Sequence, residues 1–310
     1  MRIASIIGAL TGLLGLGSAA SFSNPLKATN GSDPFMVYSD GYYYLMTTTW
    51  TNLQITRAKT LEGLKNGETK VVWTDTNSAR CCNVWGPSFI RLTTRAWYIY
   101  YTAGNGNNLD GQRPHVLKPT NDWGIDGTVL RVANKNYFVW SCFPEANMQS
   151  LCIAPMNSPT SIGTRSVLSR PTNSWEQVGS PPSVNEGAAP LYHYGRVFLA
   201  YGASFCWTSS YQVGLLTYNG GDPTKSSSWT KTGPFFSSAN RNYGPGHNAF
   251  FNSPDGKEVW NVYHATWIQP GACDGNRYTA AQKVNWRSDG TADFGQPQPT
   301  GTVLVGPSGE

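Results

Sequence analysis

The sequence predicts an all-β fold, a five-bladed β-propeller, and three observations carry that expectation. Aromatic residues make up 13% of the chain and charged residues only 13%, with 33 Gly and 20 Pro; abundant Tyr, Trp and Thr between turn formers favour strands. No 3.6-residue apolar period persists, so helices should be few. Finally, five units of the chain share one order: a leading residue, a short strand, a turn, and an aromatic-rich strand.

The first unit starts at Asp33-Pro34, runs through Phe35–Tyr38, turns at Asp40-Gly41 and continues as Tyr42–Thr47. The second starts at Trp85-Gly86-Pro87, runs through Ser88–Ile90, turns near Thr94-Arg95 and continues as Trp97–Tyr101. The third starts at Asp126-Gly127, runs through Val129–Val132, turns at Asn134-Lys135-Asn136 and continues as Tyr137–Trp140. The fourth starts at Glu186-Gly187, turns at Tyr194-Gly195 and continues as Val197–Tyr201; the fifth starts at His247-Asn248, turns at Asp255-Gly256 and continues as Val259–Tyr263. Gly, Asn and Asp between strands of five to six residues are hairpin signals. Four units add a third apolar strand: Leu53–Thr56, Leu151–Ala154, Val213–Leu216 and Ala281–Val284. Successive leaders lie 52, 41, 60 and 61 residues apart, the length of a propeller blade. The competing arrangement is a β-sandwich with coincidental spacing; the common order of all five units argues against it.

Outside the repeats, Arg2, the apolar run Ile6–Leu16 and the small residues Gly17–Ala20 read as a secretory signal peptide over residues 1–20. Residues 21–310 then form a single domain. Removing the leader takes the net charge from +5 to about +4, and the basic residues form no patch, which disfavours nucleic acid as a partner. Six cysteines in an oxidising compartment suggest up to three disulfides. Cys142 and Cys152 are the simplest pair, within one hairpin; Cys81 and Cys82 either bridge each other or pair elsewhere. A zinc site is disfavoured, since no second CxxC or His pair accompanies them.

In a propeller the first strand of each blade lines the central channel, so a residue just before it faces the axis. The five leaders are Asp33, Trp85, Asp126, Glu186 and His247. Sugar-bond hydrolysis needs two carboxyl groups flanking the bond, one protonated and one acting as base or nucleophile. Carboxyls on different blades would stand ~6.5–9.5 Å apart, the inverting geometry, with room for a water. A third carboxylate would raise the acid's pKa by like-charge repulsion. Any one Asp before a strand is as readily a turn former; three heading repeats are harder to dismiss.

These motifs, Ser32-Asp33-Pro34, Trp85-Gly86-Pro87, Gly124-Ile125-Asp126-Gly127, Asn185-Glu186-Gly187 and Gly246-His247-Asn248, resemble the blade-leading motifs of glycoside hydrolase family 43. The likeness continues through Asn276-Arg277-Tyr278 and Gln282–Trp286 to Asp289-Gly290, so it covers the whole mature chain. It is closest to the secreted exo-acting 1,5-α-L-arabinofuranosidases. The resemblance implies an inverting mechanism with Asp33 as general base, Glu186 as general acid and Asp126 tuning that acid. It also implies Arg277 as a contact to the sugar in the −1 subsite. Gly86, Ser88 and Ala188 depart from the family pattern, without removing a catalytic group.

The resemblance further implies that His247 helps hold a Ca²⁺ or other structural ion with waters in the channel, although a lone His is more often a satisfied core residue. No cofactor is required for the chemistry. Trp50 and Trp85 are the candidates for sugar stacking; Trp97, Trp140 and Trp260 read as packing between blades. His115, His193 and His264 read as ordinary polar or core residues, and Asp122 and Glu145 as loop residues. A glycan on the Asn30-Gly31-Ser32 sequon would crowd Asp33, so the sequon should be unoccupied or directed away. The function expected is a secreted, monomeric exo-acting arabinofuranosidase on plant cell-wall arabinan. The alternatives are a β-xylosidase or arabinoxylan-debranching enzyme on the same scaffold, and a non-catalytic carbohydrate-binding propeller, which would need no acid triad.

Overall fold

The computed structural model describes residues 20–92, 96–115, 123–179 and 181–310. The expected leader up to residue 19, the turn at Thr94-Arg95 and Asp122 lie outside the described residues. After β1 (Ser21–Ser23), five runs of antiparallel strands follow in chain order, the third and fourth joined by a two-residue parallel pairing into one nine-stranded sheet. The first is β2 (Phe35–Ser39), β3 (Tyr42–Met46), β4 (Leu53–Ala58) and β5 (Glu68–Trp73). The second is β6 (Cys82–Arg91), β7 (Trp97–Gly104) and β8 (Arg113–His115). The third is β9 (Gly124–Val132), β10 (Lys135–Glu145) and β11 (Met148–Ser158), with β12 (Ser161–Ile162) and β13 (Ser166–Ser169) both folded back onto β11. The fourth is β14 (Ser183–His193), β15 (Arg196–Ala203), β16 (Gln212–Tyr218) and β17 (Trp229–Phe236). The fifth is β18 (Tyr243–Asn252), β19 (Val259–Thr266) and β20 (Arg277–Lys283). A hairpin of β21 (Asn285–Trp286) and β22 (Ala292–Asp293) precedes β23 (Val303–Val305), which pairs with β1. Helix among the described residues is limited to three short 3-10 turns.

Local chemistry explains the hairpins. Asp40-Gly41 and Tyr194-Gly195 place both residues at positive φ, the twist that suits two-residue turns between strands. In the third unit the turn is Ala133-Asn134 rather than Asn134–Asn136, because Lys135 and Asn136 already pair with Val132 and Arg131.

The units pack face to face, and an apolar cluster fills each junction. Met46 and Leu53 meet Val84, Tyr101 and Ala103 between the first and second units. Tyr100 meets Val129, Phe138 and Trp140 between the second and third. Leu130, Val139 and Ile153 meet Leu199, Tyr201 and Leu216 next. Phe198, Val213 and Phe236 meet Tyr263, Tyr278 and Ala280 between the fourth and fifth. Finally Phe251, Trp260 and Val262 meet Met36, Tyr43 and Leu45, bringing the fifth unit against the first. Each Val, Leu, Ile, Phe or Met among them contributes roughly 1.5–3 kcal/mol when fully buried. The first strands follow the same circuit: β2 lies against β6, β6 against β9, β9 against β14, β14 against β18, and β18 against β2.

Trp140 and Trp260 belong to these junctions, as expected. Trp97 does not: it is 37% exposed and stacks on Phe89 of its own unit, because it sits at the outer, turn end of its strand. The disulfides are Cys142–Cys152, within the β10–β11 hairpin as expected, the vicinal pair Cys81–Cys82, and Cys206–Cys273.

One irregularity recurs in all five first strands. Trp85 pairs with Thr102 and Ser88 with Tyr100, so Gly86-Pro87 faces a single residue. The same two-against-one bulge occurs at Asp126-Gly127, Gly187-Ala188 and His247-Asn248. In the first unit Thr48 N–H donates to Ser32 O while Phe35 pairs with Met46, which isolates Asp33-Pro34 likewise. The leading bulge residue is left-handed each time: φ is 54° at Asp33, 49° at Gly86, 58° at Asp126, 56° at Gly187 and 47° at His247. Such bulges re-aim side chains beside active sites.

Candidate active site

The bulges set two kinds of position around the ring. Asp33, Asp126 and His247 occupy the left-handed residue itself, whereas Trp85 and Glu186 stand one residue earlier, before glycines that take that conformation. All five line one cavity of about 450 Å³, together with Trp50 and Arg277, so the structure brings every site residue expected from the sequence to one place. Trp123, Phe205 and Trp207 complete much of its wall. Trp50 and Trp85 meet edge to face with centroids 5.9 Å apart. Asp126 and His247 also border a second cavity of about 270 Å³, walled by strand residues such as Phe35, Val129, Ala188 and Ala249.

Backbone amides of the bulges are satisfied across the unit junctions. Gly86 N–H donates to Thr48 Oγ1 at 3.1 Å, and Asp126 N–H to Thr102 Oγ1 at 3.2 Å. Asp33 N–H donates to His264 Nδ1 at 3.1 Å, and Gly187 N–H to Asp126 Oδ2 at 3.2 Å. The acceptors at Thr48, Thr102 and His264 occupy the same register, opposite the residue before each bulge. This lattice fixes the carboxyl-bearing backbone.

Asp33 sits in a cationic setting. Burial would raise its pKa, but His247, whose Nδ1 lies 3.1 Å from Oδ1, and Arg277 hold it far below the usual carboxylate range. The Thr48 hydroxyl donates to Oδ2. His264 also approaches Oδ1, at 3.5 Å, yet it does not act as a cation there: burial and Arg277 lower its pKa to about 3, and Nδ1 already accepts the Asp33 amide. Its neutral ring therefore carries the proton on Nε2.

The other two carboxyls experience the reverse. Burial pushes Asp126 up to about 7; His247 opposes this, while the charges of Glu186 and Asp33 add to it. Burial likewise raises Glu186, against the pull of His247 and Arg277 and with the charge of Asp33 assisting. Gln149 Nε2 donates to Glu186 Oε2 at 2.8 Å. The buried Tyr211 ring stacks beside His264 and lies 5.4 Å from the Arg277 guanidinium. Thus one cavity holds an ionised carboxylate and a carboxyl pair inclined to keep a proton near neutral pH, the division of labour that acid–base hydrolysis requires.

An ion beside His247 would rest on Nε2 of that ring and on waters. Nδ1 is engaged with Asp33, and among the described residues no group of three or more His, Cys, Asp or Glu could hold an ion. Asn30 is exposed and lies outside the lining of the acid cavity. Sequence reasoning missed Thr48, Thr102, Gln149, Tyr211 and His264. The repeat register would have exposed Thr48, Thr102 and His264 as equivalent positions; Gln149 and Tyr211 carry no such signal.

The family model for glycosyl hydrolases family 43 matches residues 22–292. The chain is 34% identical, over 93% of its length, to an extracellular exo-α-(1→5)-L-arabinofuranosidase of Streptomyces avermitilis, of which it spans 66%. It is 30% identical, over 86% of its length, to a protein of the same name from Streptomyces chartreusis, of which it spans 90%. The crystal structure of an α-L-arabinofuranosidase from Lactobacillus brevis superposes with a TM-score of 0.81 at 29% identity, covering 91% of this chain and 98% of that one. With its acid-lined cavity at the bulged ends of five strands, the chain belongs to glycosyl hydrolase family 43.

Proposed function

We propose that residues 21–310, after a signal peptide over residues 1–20, form one five-bladed propeller domain, secreted and monomeric. It acts as an inverting exo-α-L-arabinofuranosidase on α-1,5-linked arabinan or arabino-oligosaccharides. The observation that carries this reading is the opposite electrostatic bias of Asp33 and the Asp126–Glu186 pair within one cavity. Its substrate and secretion are supported by the names of the relatives.

In this mechanism Asp33 takes a proton from a water as its oxygen attacks the anomeric carbon. Glu186 gives its proton to the departing glycosidic oxygen as that C–O bond breaks. The products are the free sugar, inverted at the anomeric carbon, and the shortened chain; Asp33 ends protonated and Glu186 ionised, and solvent resets both. Asp126 and Glu186 form a pair whose mutual repulsion retains a proton, and Asp126 fixes the backbone next to Glu186 by accepting Gly187 N–H. Arg277 contacts the sugar, and Trp50 and Trp85 offer stacking faces. The chemistry balances with two carboxyl groups and one water.

The test is product analysis on linear arabinan, arabinoxylan and xylo-oligosaccharides, with NMR of the first-formed sugar. The expected result is β-arabinofuranose from linear arabinan. Initial α-product would remove the inverting mechanism, and xylose release would transfer the assignment to a β-xylosidase.

A further inference from the structure

Arg277 is held in an unusual way, and the device holding it spans two units of the fold. Its side chain is nearly fully buried, with Nε donating to Ala272 O at 2.6 Å and Nη2 to Cys206 O at 3.1 Å. Those carbonyls belong to separate loops, one between β15 and β16 and the other between β19 and β20. The Cys206–Cys273 disulfide joins the two loops across 67 residues of sequence. One carbonyl is on a bridged cysteine and the other on the residue beside its partner. Both cysteines line the acid cavity, as does Trp207, which is 49% exposed.

From this geometry we infer that the Cys206–Cys273 disulfide is a positioning element for Arg277: it sets the gap between the two carbonyls that orient the guanidinium toward the substrate. A guanidinium is a rigid planar fork, so two acceptors at fixed separation determine the plane of the whole group. With Nε and Nη2 committed to carbonyls, the remaining N–H groups are left for the cavity, where Arg277 also lowers the pKa of Asp33 and Glu186. The loops meet independently of the bridge, through Ser209 N–H donating to Pro270 O at 2.7 Å and the close approach of Gly271 to Thr208. Losing the bridge should therefore loosen the carbonyl pair without unfolding the domain.

The inference rests on the reading of Arg277 as a substrate contact, and a double-mutant cycle separates the two. Arg277→Ala is made in the wild-type background and in Cys206→Ala/Cys273→Ala, with kcat/KM measured on an arabino-oligosaccharide and circular dichroism confirming the fold. If the alanine pair does not fold, Cys206→Val/Cys273→Val replaces it and fills the volume of the bridge. Removing the bridge should lower kcat/KM by ~10- to 100-fold, the scale on which misplacing a group by about 1 Å acts. In that background Arg277→Ala should add under ~3-fold, far less than in the wild type. Equal Arg277→Ala losses in both backgrounds would overturn the positioning role while leaving Arg277 as a substrate contact. No loss in the wild-type background would remove that contact, and the inference with it.

Discussion

Asp33 and Glu186 face the same cavity yet live in opposite worlds. Around Asp33 stand His247, Arg277 and the Thr48 hydroxyl, all favouring the anion. Around Glu186, burial outweighs the pull of His247 and Arg277, and the neutral amide of Gln149 donates to Oε2. Residue type is nearly the same on the two sides, so the difference in protonation comes entirely from which strands converge on each carboxyl. In the proposed mechanism a base and an acid are made from one functional group by neighbourhood.

The largest effects should come from removing the two groups. Asp33→Asn and Glu186→Gln should each lower kcat on natural arabino-oligosaccharides by ~10²–10⁴-fold, the range of general acid–base catalysis. The comparison is sharpened by an aryl arabinoside whose phenolate leaves without protonation. Glu186→Gln should recover much of its rate there and Asp33→Asn should not. Equal recovery of both would break the assignment of acid and base.

A smaller effect is expected from Asp126→Asn. Loss of its negative charge favours ionisation of Glu186, so the alkaline limb of the pH–rate profile should move to lower pH, with kcat down ~10- to 100-fold. An unmoved limb would show that Asp126 acts only through orientation. Thr48→Val should act on the other carboxyl. It removes a donor from ionised Asp33, so the acid limb should move to higher pH, and it leaves the buried Gly86 N–H unpaired, costing about 1–3 kcal/mol in a denaturant melt. The smallest change should come from Gln149→Leu. Its amide favours the Glu186 anion, so removing it should move the alkaline limb upward, opposite to Asp126→Asn. A shift in the same direction would mean that Gln149 does not stabilise the charged form.

How much of this was legible depended on distance along the chain. The leaders were readable because each announces its own strand: Asp33-Pro34, Asp126-Gly127 and Glu186-Gly187 are local signals of a break in strand geometry. What repetition alone did not disclose is that Trp85 and Glu186 sit one residue before the bulge, while Asp33, Asp126 and His247 occupy it. The partners were harder. His264 meets Asp33 across 231 residues, and its sequence surroundings are those of any buried strand. Gln149 comes to Glu186 because the starts of β11 and β14 run parallel for two residues, a pairing no hairpin signal foretells. Trp97 shows the converse failure: its aromatic-rich strand suggested packing between blades, but its place near the strand end left it exposed.

The five left-handed bulges also impose a limit on what the ring can carry. A side chain at Gly86 would start 2.6 Å from Asp126 Oδ1, and one at Gly187 would start 2.9 Å from His247 Nδ1. Both sites are thus closed by the neighbouring occupants as well as by their own φ. The ring has five sockets but space for three functional groups, and the filled sockets are what keep the other two empty. Any chemistry contributed by the second and fourth units must be offset by one residue, as Trp85 and Glu186 are. A redesign that sought a further carboxylate at Gly86 would have to displace Asp126, and one at Gly187 would have to displace His247.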